Sequence, residues 1–253
     1  MTSPLNYLIG WVGGKRLLRP VIEKFIPTDL KAYIEPFGGA AWVLFYKEKW
    51  AECEVYNDLD GRLVNLFRCV KYHPEALIKE LQYILVSREM FNQYLKTAPV
   101  TDIQRAARFF ILINFSFGGK LKNFRSGLNH CDYGFTYAPA RIDAINKRLQ
   151  RVKIENLDFQ KLIKLYDRDY SFFYCDPPYT KGEQYEISKN FDHVLLRDTL
   201  KNIKGRFLLT YNDCPEIREL YKDFDITETE RLTGLNRKNP KNKMYKELLI
   251  KNY

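Results

Sequence analysis

The chain has 253 residues, enough for one large domain or for a main domain with a smaller one. A hydrophobic fraction of 45%, with 17 phenylalanines and 18 tyrosines, supports a packed core and excludes a disordered chain. Lys and Arg outnumber Asp and Glu by 41 to 31, and the net charge of +10 favours a polyanionic partner, nucleic acid above all.

In chain order, the first motif is GWVGGKRL at 10–17. It is not a phosphate-binding loop of the G-x-x-x-x-G-K-[ST] type, because Arg16 stands where the hydroxyl residue is required. Its glycine pair and Lys15 can still present N–H groups and a cation to a carboxylate or phosphate. The plain alternative is a turn before a helix over 15–26. AYIEPF (32–37) and CEVYND (53–58) read as strands. Leu59, Leu63, Leu66, Phe67 and Val70 then recur at helical spacing. Residues 72–150 are expected to be helical, over 75–85, 88–96, 102–115 and 140–150. Within them, 116–138 is a loop rich in Gly, Asn and aromatics. Lys120, Lys122 and Arg125 fall in its acid-free part. Strand patterns resume with VKIENLDF (152–159), SFFYCD (171–176) and RFLLTYND (206–213). A helical repeat of Phe191, Leu195, Leu200 and Ile203 lies before the last of these. Arg237, Lys238, Lys241 and Lys243 form a second acid-free basic run. Alternating strands and helices predict an α/β fold with a mostly parallel sheet. The segment 72–150 is expected to be a helical domain inserted between 1–71 and 151–253.

Cys53, Cys69, Cys131, Cys175 and Cys214 are scattered, odd in number and never in a C-x-x-C pair. With three histidines there is no zinc-ligand spacing, so no metal is expected. The chain does not open on a charged region followed by an apolar one, and its longest apolar run, FFILI at 109–113, is far short of a membrane span. A cytoplasmic protein with reduced thiols is expected.

Ligands of open parallel sheets sit beyond the carboxyl ends of the strands. Four strand patterns end with an acid there: Glu35, Asp58, Asp158 and Asp176. A lone Asp at such a place is often a helix cap or a turn residue. EPFGGAAW, however, puts a glycine turn after the first strand, and Asp58 follows Gly39 at the end of the next. That is where an acid accepts from ribose hydroxyls in dinucleotide-binding folds. In CDPPY, a buried strand delivers Asp176 to the sheet edge. Pro177 and Pro178 fix φ and offer carbonyls without N–H donors, and Tyr179 adds a flat ring. An acid, a rigid carbonyl and a stacking face suit a planar ligand bearing an NH2 group, such as a free nucleobase edge.

GWVGGK, YIEPFGGA, VYND and CDPPY, in that order, are similar to the motifs of the Dam-like (α-class) DNA adenine-N6 methyltransferases. The resemblance covers nearly the whole chain, including ELLIKNY near the C-terminus. It implies a Rossmann-like S-adenosylmethionine-dependent methyltransferase sheet with an inserted helical target-recognition domain. It also implies that adenine is flipped out of double-stranded DNA and methylated at N6. By motif, Trp11, Lys15, Phe37, Gly39 and Asp58 would bind S-adenosylmethionine, with Phe159 of the NLDF segment beside its adenine. Asp176 would reach both the methionine amino end and the target base. Asp176 and the Pro177 carbonyl would accept from N6, while Tyr179 would stack on the base. Lys120, Lys122, Arg125, Arg237, Lys238, Lys241 and Lys243 are the expected DNA contacts. Two departures are visible: Ala41 stands where the F-x-G-x-G run has its second glycine, and NFSFGGKLKNFRSG stands where GATC-specific relatives carry an N-x-x-G-x-F-N-x-P-like segment. Two alternatives stay open at this point. One is an amino-methyltransferase of RNA or protein glutamine, whose relatives carry Asn at the Asp176 position. The other is a silent DNA-binding module of the same fold.

Overall fold

A computed structural model of the chain describes residues 5, 8–11, 13–84, 87–125, 138–180, 191–232 and 244–253. Its strands are β1 (Ala32–Glu35), β2 (Cys53–Asn57), β3 (Val152–Glu155), β4 (Ser171–Cys175), β5 (Arg206–Asn212), β6 (Asp225–Leu232) and β7 (Met244–Lys251). They form one sheet in the order β3-β2-β1-β4-β5-β7-β6. β2, β1, β4 and β5 pair in parallel, and β7 runs antiparallel between β5 and β6. The strand order reverses direction between β1 and β4, the switch point where Rossmann-like sheets open a ligand crevice.

The chain divides into two compact units. The first comprises Met1–Gly14, Gly39–Glu48 and Asp60–Asn156 and carries, among the described residues, five α-helices: α2 (Gly61–Tyr72), α3 (Pro74–Gln82), α4 (Arg88–Lys96), α5 (Asp102–Phe115) and α6 (Ala138–Leu149). α5 is its central element. Thr101 and Gln104 form a capping box at its start, and FFILI is buried throughout. The helix ends at Ser116, where the chain turns extended. Arg148 fixes α6 by donating from Nε to the Lys47 carbonyl and from Nη2 to the Leu44 carbonyl, at 2.8 and 2.9 Å. Thus its charge is buried but its donors are met.

The second unit comprises Lys15–Gly38, Lys49–Leu59 and Leu157–Tyr253. It holds α1 (Arg19–Phe25), α7 (Phe159–Tyr166), α8 (His193–Lys201) and α9 (Pro215–Leu220). One sheet face buries Ile34, Phe173, Cys175, Leu209, Tyr211 and Ile250 in a cluster with Leu162 of α7, Leu196 of α8 and Ile217 of α9. All five residues of β4 are buried, as a continuous apolar run in a parallel sheet demands.

The five strands read from the sequence are present, each within a few residues of its expected bounds. Other expectations shift. α1 begins at Arg19, because 15–18 are taken up by the turn after the glycines. Phe191 and Ile203 lie outside α8. β6 and β7 were not anticipated: β6 reads DITETERL, whose threonines and acids suit an edge strand but mask the apolar alternation. Asn57 is fully buried at the end of β2. Its Nδ2 donates to the carbonyls of Pro36 (2.8 Å) and Leu157 (3.0 Å), and its Oδ1 accepts from the Leu157 amide (2.8 Å). One side chain thereby ties three backbone groups of two loops beyond the strands. Asn57→Ala leaves the Leu157 amide without that acceptor, and is expected to destabilise the protein by about 2–4 kcal/mol. Urea denaturation followed by circular dichroism checks this.

Candidate active site

Asp176 follows β4, and its carboxylate is organised by two other segments of the second unit. The Lys15 ammonium donates to Oδ1 at 2.6 Å, and Thr210 Oγ1 of β5 donates to the same oxygen at 2.9 Å. Lys15 is 2% exposed and Asp176 21%, so the pair faces solvent only through the carboxylate. The sequence predicted a cation presented to an anion by the GG-K turn; the anion is a carboxylate of this chain, 161 residues away. Lys15 also stands 4.8 Å from the centroid of the Tyr179 ring, which strengthens its hold by a cation–π contact. Among the described residues no hydrogen bond is made to the second carboxylate oxygen, Oδ2. One oxygen is satisfied and the other is available.

Pro177 is buried and Tyr179 half-buried. Behind Tyr179 lies Tyr211, with ring centroids 5.8 Å apart, and the Tyr211 hydroxyl is 2.6 Å from His193 Nδ1. Burial lowers the His193 pKa and raises that of Tyr211. At neutral pH the ring is therefore uncharged and the phenol keeps its proton, so a hydrogen bond between two neutral groups braces the aromatic platform. Burial likewise raises the pKa of the Cys175 thiol beside Asp176, with the Asp176 charge adding to it. A thiol so disposed is a packing group and not a nucleophile.

At the neighbouring strand ends, Phe37, Phe159 and Phe191 form a mutually touching trio with centroid separations of 5.5–5.6 Å. Phe191, read from sequence as part of a helical stripe, joins the two phenylalanines that the motifs identified. Gly38 beside them approaches its neighbours too closely for any side chain: a Cβ there would lie 2.3 Å from the Tyr56 ring and 2.9 Å from the Asn57 carbonyl. Asp58 is half-exposed just past β2, while the cap of α2 is Asp60, which accepts from the Arg62 amide. The cap reading therefore goes to Asp60. Asp158 does cap its helix, accepting from the Gln160 amide at 2.9 Å. Glu35 is buried and accepts from the Tyr33 hydroxyl at 2.7 Å.

Trp11 and Gly39 belong to the first unit and lie against one another: a Cβ on Gly39 would be 3.1 Å from the indole. Gly39 has φ +50° and Ala41 φ +56°, so the alanine that departs from the motif keeps the left-handed backbone that glycine favours. Lys120 and Lys122 are exposed on a loop closed by the Ser116–Phe124 bridge and by the Arg125 amide, which donates to the Phe115 carbonyl at 2.7 Å. Arg125 is half-buried at the end of that loop. Arg237, Lys238, Lys241 and Lys243 lie outside the described residues, as does Cys131. Among the described residues no helix is long and apolar enough to cross a membrane.

Residues 11–235 match the model of the D12 class N6 adenine-specific DNA methyltransferases. The type II methyltransferase M1.LlaDCHI of Lactococcus lactis subsp. cremoris is 29% identical, covering 96% of this chain and 94% of its own. M.MjaIII of Methanocaldococcus jannaschii, also named a type II methyltransferase, is 27% identical over 96% of this chain and 97% of its own. A SAM-dependent methyltransferase structure from Agrobacterium tumefaciens superposes with a TM-score of 0.45 at 13% identity, over 96% of this chain and 62% of that one.

The crowding at Gly38 has a measurable consequence. Tyr56 is fully buried, and the second close neighbour, the Asn57 carbonyl, is backbone and not a flexible side chain. Gly38→Ala is therefore expected to lower the stability by about 1–3 kcal/mol, the range for overpacking, as read from the urea midpoint at unchanged slope.

Proposed function

Because the chain belongs to the D12 class N6 adenine-specific DNA methyltransferase family, we propose that Asp176, Pro177 and Tyr179 receive the adenine and that the Phe37 side of the sheet receives S-adenosylmethionine. The observation that carries this reading is the Asp176 carboxylate, with one oxygen held by Lys15 and Thr210 and the other open. Adenine N6 is a weak nucleophile because its lone pair is delocalised into the ring. Oδ2 of Asp176 and the Pro177 carbonyl accept its two N–H bonds and favour a pyramidal nitrogen. That interaction strengthens as positive charge develops on nitrogen, which is the condition for lowering a barrier. Tyr179, braced by Tyr211, stacks on the base once it leaves the duplex. Base flipping follows from the same chemistry, since N6 cannot meet a carboxylate at a sheet edge while it is paired.

The residues present fit the methyl donor. The Phe37, Phe159 and Phe191 rings supply an apolar wall for a purine. Gly38 allows close approach of backbone, and the half-exposed Asp58 is placed to accept from ribose hydroxyls. When bound, S-adenosylmethionine supplies a methyl group already activated on a sulfonium, so orientation supplies most of the remaining acceleration. Lys15 holds the Asp176 carboxylate and, by its motif, also borders the donor.

Recognition of the target falls to 72–150, within which Lys120, Lys122 and Arg125 face double-stranded DNA from the closed 116–125 loop. The runs 116–138 and 237–243 divide the labour, the first reading bases and the second holding phosphates.

Two measurements test these roles. Asp176→Asn is expected to abolish most methyl transfer. Lys15 and Thr210 both donate, so they hold the amide oxygen on their side and turn the amide NH2 toward the incoming amine. Near-normal single-turnover rates on an adenine-containing duplex would sink the assignment. Asp58→Ala is expected to weaken S-adenosylmethionine binding by about 1.5–3 kcal/mol while DNA affinity changes little. Calorimetric titration reads both.

A further inference from the structure

β5 reads RFLLTYN, and Thr210 is fully buried within its apolar run. A hydroxyl in such a run needs a partner, since valine has the same shape and no desolvation cost. The partner is Asp176. The hydroxyl has a single proton, and the carboxylate at 2.9 Å is its shortest and most strongly charged acceptor. The Tyr174 hydroxyl, 3.4 Å away and also buried, must then act as donor to Thr210. Burial raises the Tyr174 pKa, with the Asp176 charge adding to it, which keeps that proton in place. The result is a chain of fixed polarity, Tyr174 O–H to Thr210 O–H to Asp176 Oδ1, in which each bond polarises the next.

We propose that Thr210 is a positioning residue for methyl transfer: with Lys15 it saturates Oδ1 and so fixes the plane of the carboxylate and the direction of Oδ2. The inference rests on the reading of Asp176 as the acceptor of the N6 proton bonds. Lys15 alone does not define that plane, because an ammonium bonds equally well over a range of carboxylate rotations. A second donor from a different strand removes the rotation. Adjacent pairing of β4 and β5, with Cys175 opposite Leu209, is what brings Thr210 to the carboxylate. A carboxylate free to rotate spends part of its time with neither oxygen in line with the amine, and the loss falls on the chemical step.

The test compares Thr210→Val, Thr210→Ala and Thr210→Ser with Asp176→Asn in single-turnover transfer of labelled methyl to an adenine-containing duplex, expressed per folded enzyme. Thr210→Val and Thr210→Ala are expected to slow the chemical step about 10–100-fold, the worth of a hydrogen bond to a charged group. Their dissociation constants for S-adenosylmethionine and DNA should stay within about twofold of the parent, whereas Thr210→Ser should recover the rate to within about threefold. The hydroxyl-free variants should add little in the Asp176→Asn background. A normal rate for Thr210→Val while Asp176→Asn is inactive would overturn the inference and leave the role of Asp176 standing. An active Asp176→Asn would overturn that role itself. If both hydroxyl-free variants fail to fold while Thr210→Ser folds, or if Thr210→Ser is as slow as they are, the residue is structural and the inference falls.

Discussion

The Lys15–Asp176 pair is the interaction on which the second unit turns. A lysine that is 2% exposed is costly to bury without an anion beside it, and a carboxylate at a strand end needs a fixed orientation to act on a ligand. Each group supplies what the other lacks. The turn that carries Lys15 is thereby pinned to the end of β4, and α1 starts only once that turn is complete. The rigid Pro177–Pro178 pair then directs the chain away, so that carbonyl, carboxylate and ring arrive in one place.

Around this pair the second unit separates polar from aromatic functions by strand. β4 and β5 bring Asp176, Thr210 and Tyr211, whereas the end of β1 and the start of α7 bring Phe37 and Phe159. Asn57, at the end of β2, ties the segments that carry Phe37 and Phe159 to one another through backbone groups. Its burial is tolerated because its amide oxygen and both carbonyl partners are matched. The division suits a reaction with two planar ligands, one gripped by its amine and the other by its rings.

The first unit solves a different problem. Its helices bury an apolar α5 and hold up a short loop bearing Lys120 and Lys122. Gly118, Gly119 and Leu121 of that loop have φ of +65°, +71° and +59°. A non-glycine residue pays about 1–2 kcal/mol for such a conformation, so this loop shape is enforced by its surroundings. The Ser116–Phe124 bridge and the packing of Phe124 on Phe91, with centroids 5.5 Å apart, supply that enforcement. Ala41 shows the same balance in the glycine-rich turn, where a buried methyl is kept despite a left-handed backbone.

Much of this was written in the sequence, because it depends on residues near one another in the chain. Short β-rich runs marked β1 to β5. Acids at their ends marked the edge where ligands bind, and the order of GWVGGK, YIEPFGGA, VYND and CDPPY pointed to the chemistry. Local spacing could not decide between the rival uses of each acid. Asp158 became a cap and Asp58 did not, although both follow a strand, because another acid, Asp60, took the start of α2. Nor could it pair Lys15 with Asp176, or Thr210 with the same oxygen, since those partners are 161 and 34 residues apart. Their meeting depends on which strands lie side by side and in what register. The sequence by itself determined which chemical groups the protein owns and that they gather at one sheet edge. Only the tertiary structure decided which oxygen each donor holds, because a hydrogen bond is set by distances of a few tenths of an ångström that no local pattern encodes.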